Sequence, residues 1–97
     1  MNKYAISKLP SDVLKEVAEK HRKVRKLAKL SQAELAERSG VSLGSIKRFE
    51  NTGQIAFESL LKLAFLLQYL EDFKDLFSVS GNTKEIEKLF SFKTQRK

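Results

Sequence analysis

Leu30-Ser31-Gln32-Ala33-Glu34-Leu35-Ala36-Glu37-Arg38-Ser39-Gly40-Val41-Ser42-Leu43-Gly44-Ser45-Ile46-Lys47-Arg48-Phe49-Glu50 holds two short helical patterns on either side of a glycine. Ser31 supplies a side-chain acceptor for a helix start, and Glu34, three residues on, can reach back to the Ser31 amide. The first helix therefore begins at Gln32, with Leu35 and Ala36 facing inward. Gly40 stops it, because glycine takes a left-handed backbone without a Cβ penalty. Val41 fills the corner and Ser42 caps a second helix, in which Ile46 and Phe49 lie three apart on one face. Gly44, Ser45, Lys47 and Arg48 are left looking outward. A helix exposed in this way, small at its start and cationic further along, is shaped to enter a DNA major groove.

The rest of the composition narrows the chemistry. With 97 residues and 41% hydrophobic content, the chain suits one compact domain with a modest core. It has no cysteine and one histidine, so disulfides, thiolate metal sites and cysteine nucleophiles are excluded, and His21 reads as a surface or boundary residue. No cofactor or metal is expected. The most apolar stretch, Leu60 to Leu70, is eleven residues long and contains Lys62 and Gln68, which makes it core and not membrane. With no apolar leader segment at the start, a cytoplasmic location is expected.

The net charge of +7 is unevenly spread. Residues 1–51 carry twelve Lys and Arg against six Asp and Glu, residues 52–81 carry two against four, and residues 82–97 carry five against two. The excess thus lies with the two-helix motif and the tail, where it would release counterions from a phosphate backbone. On this ground a non-specific nucleic-acid binder is one reading.

Working outward, residues 1–9 form a short arm in which Tyr4 and Ile6 alternate with polar residues. Pro10 divides it from a helix that Ser11 can cap and that runs to about Lys29 on the apolar positions Leu14, Val17, Ala18, Val24, Leu27 and Ala28. Asn51-Thr52-Gly53 ends the motif's second helix. Phe57, Leu60, Leu61, Leu63, Ala64, Phe65 and Leu67 predict a fourth helix buried on most sides, and Leu70, Phe73, Leu76 and Phe77 a short fifth. Gly81 breaks that helix. Asn82 and Glu85 then begin a final helix striped with Ile86, Leu89 and Phe90, followed by a basic end. The organisation expected is an all-α fold, with an arm over residues 1–9, a domain over 10–77 and a C-terminal helix and tail over 78–97.

The segment from about Lys23 to Phe77 resembles the five-helix lambda-repressor-like domain of phage repressors, Cro proteins and xenobiotic-response-element-type regulators. Gln32, Ala36, Gly40, Val41, Ile46 and Phe49 carry the resemblance. It implies that Gln32 contacts a phosphate and braces the start of the recognition helix, and that the first, second and sixth residues of that helix, Leu43, Gly44 and Arg48, reach base edges. Leu43 and Gly44 depart from the phage pattern, since neither forms side-chain hydrogen bonds; they leave apolar contact with a thymine methyl or close backbone approach. Polar reading then falls to Arg48, with Ser45 and Lys47. The candidate DNA-binding set is Gln32, Ser42, Leu43, Gly44, Ser45, Lys47 and Arg48. The resemblance also implies an internal ion pair between Arg25 and Glu50.

The expected function is that of a sequence-specific transcriptional regulator, a dimeric repressor on double-stranded DNA with an inverted-repeat operator. The run from Ser42 through Thr52-Gly53 to Phe65 is also similar to HipB-type antitoxins, encoded beside HipA-like kinase toxins. That likeness implies autoregulation of an operon and a kinase partner. The alternative is a free-standing phage-type repressor. An enzyme is not expected: Ser11, Ser31 and Ser42 read as caps, with no base or oriented acid in sight, and Glu71, Asp72 and Asp75 lack the spacing of a calcium loop.

Overall fold

The computed structural model describes residues 9–78 and residue 87. The arm before Leu9 and the C-terminal helix with its Ile86, Leu89 and Phe90 stripe lie outside the described residues. Those described are all-helical, with α1 Pro10–Leu27, α2 Gln32–Ser39, α3 Leu43–Thr52 and α4 Phe57–Leu66 followed by a 3-10 helix, Leu70–Phe73.

Each helix end has a local cause. Ser11 is not the first cap, as expected above; Leu9 is, with Pro10 at the first helical position. Proline forfeits no helical hydrogen bond there, and Asp12 Oδ2 accepts the Leu9 amide at 3.0 Å. α1 stops two residues short of Lys29, which takes a left-handed φ of 60°, and the Leu30 amide folds back onto the Arg25 carbonyl at 3.2 Å. α2 starts as the spacing predicts: Ser31 Oγ accepts the Glu34 amide at 3.0 Å, and Glu34 Oε1 accepts the Ser31 amide at 2.8 Å. Gly40, at φ 81°, ends it. Ser42 Oγ caps α3 by accepting the Ser45 amide at 3.1 Å.

Leu35, Ile46, Phe49 and Leu63 are the largest fully buried side chains, joined by Ala18 and Val41. Leu30, Ala36, Ile55, Leu60, Leu66 and Leu67 pack around them. Burying a side chain of this size contributes about 1.5–3 kcal/mol, so the core is built chiefly from the two-helix motif. α1 and α2 both pack on α3, and α4 on α2. α3 is thereby gripped on its inner faces and keeps one face toward solvent.

Two expectations are corrected. α4 is not buried on most sides: only Leu63 and Ala64 are buried, while Phe57 is 56% and Phe65 71% exposed. Among the described residues α4 packs chiefly on α2 and the 3-10 helix, which cover one side of it. Phe57 is covered in part by Phe73, edge-on at 6.1 Å. The fifth helix over Leu70 to Phe77 is a four-residue 3-10 helix followed by turns. The amides of Lys74, Leu76 and Ser78 bond three residues back, the tight pattern of a chain that does not settle into α-geometry. Phe77 ends it at φ 59°, 98% exposed.

Candidate nucleic-acid interface

The solvent face of α3 follows from its buried stripe. With Ile46 and Phe49 turned into the core, Gly44, Lys47 and Arg48 are exposed and Leu43 and Ser45 half-buried. The first turn contains no acidic residue, so the positive end of the helix dipole stays available to an anion. Ser42 and Ser45 are engaged with each other, the Ser42 hydroxyl donating to Ser45 Oγ at 2.8 Å. A Cβ built on Gly44 would meet no heavy atom within 4 Å. Nothing inside the protein therefore requires glycine there, although in a helix it costs about 1 kcal/mol relative to alanine.

Behind this face lies a buried polar cluster centred on Glu50, whose side chain is 4% exposed. Arg25 donates to it from Nε at 2.8 Å and from Nη2 at 2.9 Å, and Gln32 Nε2 donates at 2.9 Å. Arg25 Nη1 also donates to the Leu30 carbonyl at 2.8 Å. Arg25 thus ties α1 to the last turns of α3 and to the start of the α2 approach. Gln32 joins the same carboxylate, so its side chain braces the later part of α3 and not its start. The reason is positional: Gln32 opens α2 just past Leu30, where the Arg25 fork already meets Glu50. Burial pushes the Glu50 carboxyl up, but the hydrogen bonds from Arg25 and Gln32, with the charges of Arg25 and His21, outweigh it and leave the pKa lowered. The hydrogen bond to Glu50 raises the Arg25 pKa.

His21 also belongs to this cluster and is buried, where a surface or boundary residue was expected. It is 9% exposed, tilted against the Phe49 ring at 5.0 Å. Its Nδ1 lies 3.0 Å from Glu50 Oε2, and among the described residues the ring nitrogens make no well-aligned hydrogen bond. Burial lowers its pKa below the ordinary 6.5 despite the nearby Glu50. The unfolded chain therefore binds a proton in a range where the fold resists it. Stability is expected to be full above pH 6.5 and to decline as the pH falls below that value. Glu50, lowered from 4.5, extends the loss as the pH falls through its own folded value. Urea midpoints from neutral to acidic pH would read both parts, and His21→Gln should abolish the upper one.

Arg48 is exposed yet held: Nε and Nη2 both donate to Gln54 Oε1, at 3.2 and 2.6 Å. No local pattern singles out Gln54, since the pairing depends on the turn that Gly53 makes at φ 85°. Where α1 meets the end of α3, a polar cleft is lined by Lys15, Arg22, Lys23 and Lys26 together with Glu19 and Glu50. Its four cations outnumber its two carboxylates.

Among the described residues no group of His, Cys, Asp and Glu could hold a metal ion, and no helix is long and apolar enough to cross a membrane. Comparison with the curated proteins and with the solved structures gives no match. A family model described as helix-turn-helix matches residues 22–71, which takes in the last third of α1, the α2–Gly40–α3 unit, α4 and the start of the 3-10 helix. With two capped helices joined at Gly40, the second presenting an uncapped-by-acid, cationic face to solvent, and with that match over half of its length, the chain belongs to the helix-turn-helix family of DNA-binding regulators.

Proposed function

We propose that this protein is a sequence-specific transcriptional repressor that works as a homodimer on an inverted-repeat operator, with α3 in the major groove. The observation that carries the reading is the solvent face of α3, where Gly44, Lys47 and Arg48 stand opposite the buried Ile46 and Phe49. Arg48 reads a guanine, with Ser45 and Lys47 as further polar contacts. Leu43 and Gly44 let the helix start approach a thymine methyl closely. Gln32 holds Glu50 with one Nε2 hydrogen and offers the other to a phosphate, beside the open amides at the start of α2; Ser42 flanks the same backbone from the start of α3. Repression is steric, by cover of promoter elements, and takes place in the cytoplasm.

Gly44 separates this reading from a merely structural one. Gly44→Ala is expected to raise folding stability by about 1 kcal/mol while weakening DNA binding, because the added methyl points only outward. Opposite signs in urea unfolding and in DNA titration would bear this out; equal or improved DNA affinity would reject close approach at Gly44.

The direct experiment is fluorescence anisotropy at physiological salt with duplex from upstream of the protein's own gene and with a scrambled duplex, using wild type and Arg48→Ala. Preference for the native duplex by about a thousandfold, reduced in Arg48→Ala, supports an autoregulating repressor. Equal and weak binding of both duplexes places the operator elsewhere or calls for a missing protein partner, and the partner search follows.

A second reading adds a HipA-like kinase toxin, with this protein as its antitoxin. The apolar residues left exposed on α1 and α4, Val13, Val17, Phe57 and Phe65 among them, favour a further protein surface against this fold. Co-purification with the product of a neighbouring kinase gene distinguishes the antitoxin from a free-standing repressor.

A further inference from the structure

We propose that Gln54 is a positioning residue that sets the base preference of Arg48, an inference that rests on reading α3 as the DNA-reading helix. The turn after α3 closes a small circuit around this arginine. Thr52 Oγ1 donates to the Arg48 carbonyl at 2.7 Å and accepts the Gln54 amide at 3.1 Å. Gly53 bends the chain back at φ 85°, its amide on the Phe49 carbonyl at 2.7 Å. Gln54 Oε1 then receives Nε and Nη2 of the same Arg48.

The chemistry of the pairing selects what DNA it fits. Nε and Nη2 form one side of the planar guanidinium fork, so the end-on pair, Nη1 with the second Nη2 hydrogen, is left to address the O6 and N7 of a guanine. The Gln54 amide nitrogen adds further donors beside it. Arg48 and Gln54 together thus present donors alone, which suits guanine followed by another acceptor and disfavours the amino groups of adenine and cytosine. A neutral amide performs this hold without placing a carboxylate next to phosphates, as glutamate would. Arginine loses much rotamer freedom when it binds, and fixing it beforehand reduces that cost.

The test has two arms. In the DNA-free protein, NMR relaxation of the Arg48 Nε–H should report an ordered side chain that becomes mobile in Gln54→Ala; an unchanged signal overturns the hold itself, whatever the protein binds. For DNA, wild type selects its preferred site from a randomised duplex pool, and Arg48→Ala, Gln54→Ala and the double variant are titrated against every single-base change in that site. Gln54→Ala should lose at least about fivefold of the discrimination at the base pair where Arg48→Ala loses it, and should lose nothing further once Arg48 is alanine. Additive losses overturn the proposal. So does retained discrimination with a salt slope lowered by about one, the mark of a phosphate contact. If Arg48→Ala changes discrimination at no position while the selected site is still preferred, the base-reading role of Arg48 fails and this inference falls with it. If the pool yields no preferred site, the repressor reading itself fails, and the NMR arm still decides whether Gln54 holds Arg48.

Discussion

Arg25→Ala is expected to lower folding stability by about 3–5 kcal/mol, the range for removing one partner of a buried ion pair. The loss has little to do with the pair's net worth. Glu50, with its side chain 4% exposed, would keep its charge and lose two of its three donors, and the Leu30 carbonyl would lose the Nη1 bond as well. Arg25→Lys should recover only part of this, because an ammonium cannot serve two carboxylate oxygens and a carbonyl from one planar fork. The pH dependence gives the mechanism its signature. Without Arg25 the Glu50 carboxyl loses the interaction that holds its pKa down, so the deficit is largest near neutrality and shrinks in acid, where the carboxyl is protonated in folded and unfolded chain alike. DNA affinity should fall in parallel, since the same bonds fix α3 against α1. Urea unfolding at several pH values together with DNA titration would check both; an unchanged unfolding midpoint discards the account.

Gly53→Ala is expected to cost about 2–5 kcal/mol, from a left-handed backbone penalty of 1–2 and overpacking of 1–3. A Cβ at this position would stand 2.7 Å from the Leu14 carbonyl oxygen and 2.8 Å from its carbon. That neighbour is the backbone of α1 and cannot swing aside. Gly40 provides the control inside the same molecule. Its φ of 81° is nearly that of Gly53, yet a Cβ there would meet nothing within 4 Å, so Gly40→Ala should cost only about 1–2 kcal/mol. Equal losses in the two variants would show that α1 does not press on the turn after α3.

These two glycines also show what the amino-acid order could and could not disclose. Both were readable as helix stops, because a left-handed stop is a local event. Ser31 with Glu34, and Ser42 as the second cap, were readable for the same reason: a cap uses partners three residues away. Ser11 misled because two local rules competed, and the proline preference for the first helical position, aided by Asp12, prevailed. The apolar residues from Leu70 to Phe77 have helical spacing, but spacing does not supply the neighbouring surface that would stabilise a helix there, and among the described residues none covers Phe77. His21 and Gln54 were beyond local reading altogether. One becomes important because it lies one turn before Arg25 on the side facing Glu50, the other because Gly53 returns the chain toward Arg48. The roles of Gln32 divide in the same way: its place at the head of α2 is local, and its bond to Glu50 is tertiary.

The convergence on Glu50 has a consequence for how the molecule comes apart. A single carboxylate near the end of α3 receives a donor from α1 and another from α2, so none of these three helices can loosen without breaking bonds that belong to the other two. They constitute one cooperative unit. Their central amides should exchange hydrogen through a shared opening, with one free energy, while the outer end of α4, which takes no part in the Glu50 cluster, opens on its own and earlier.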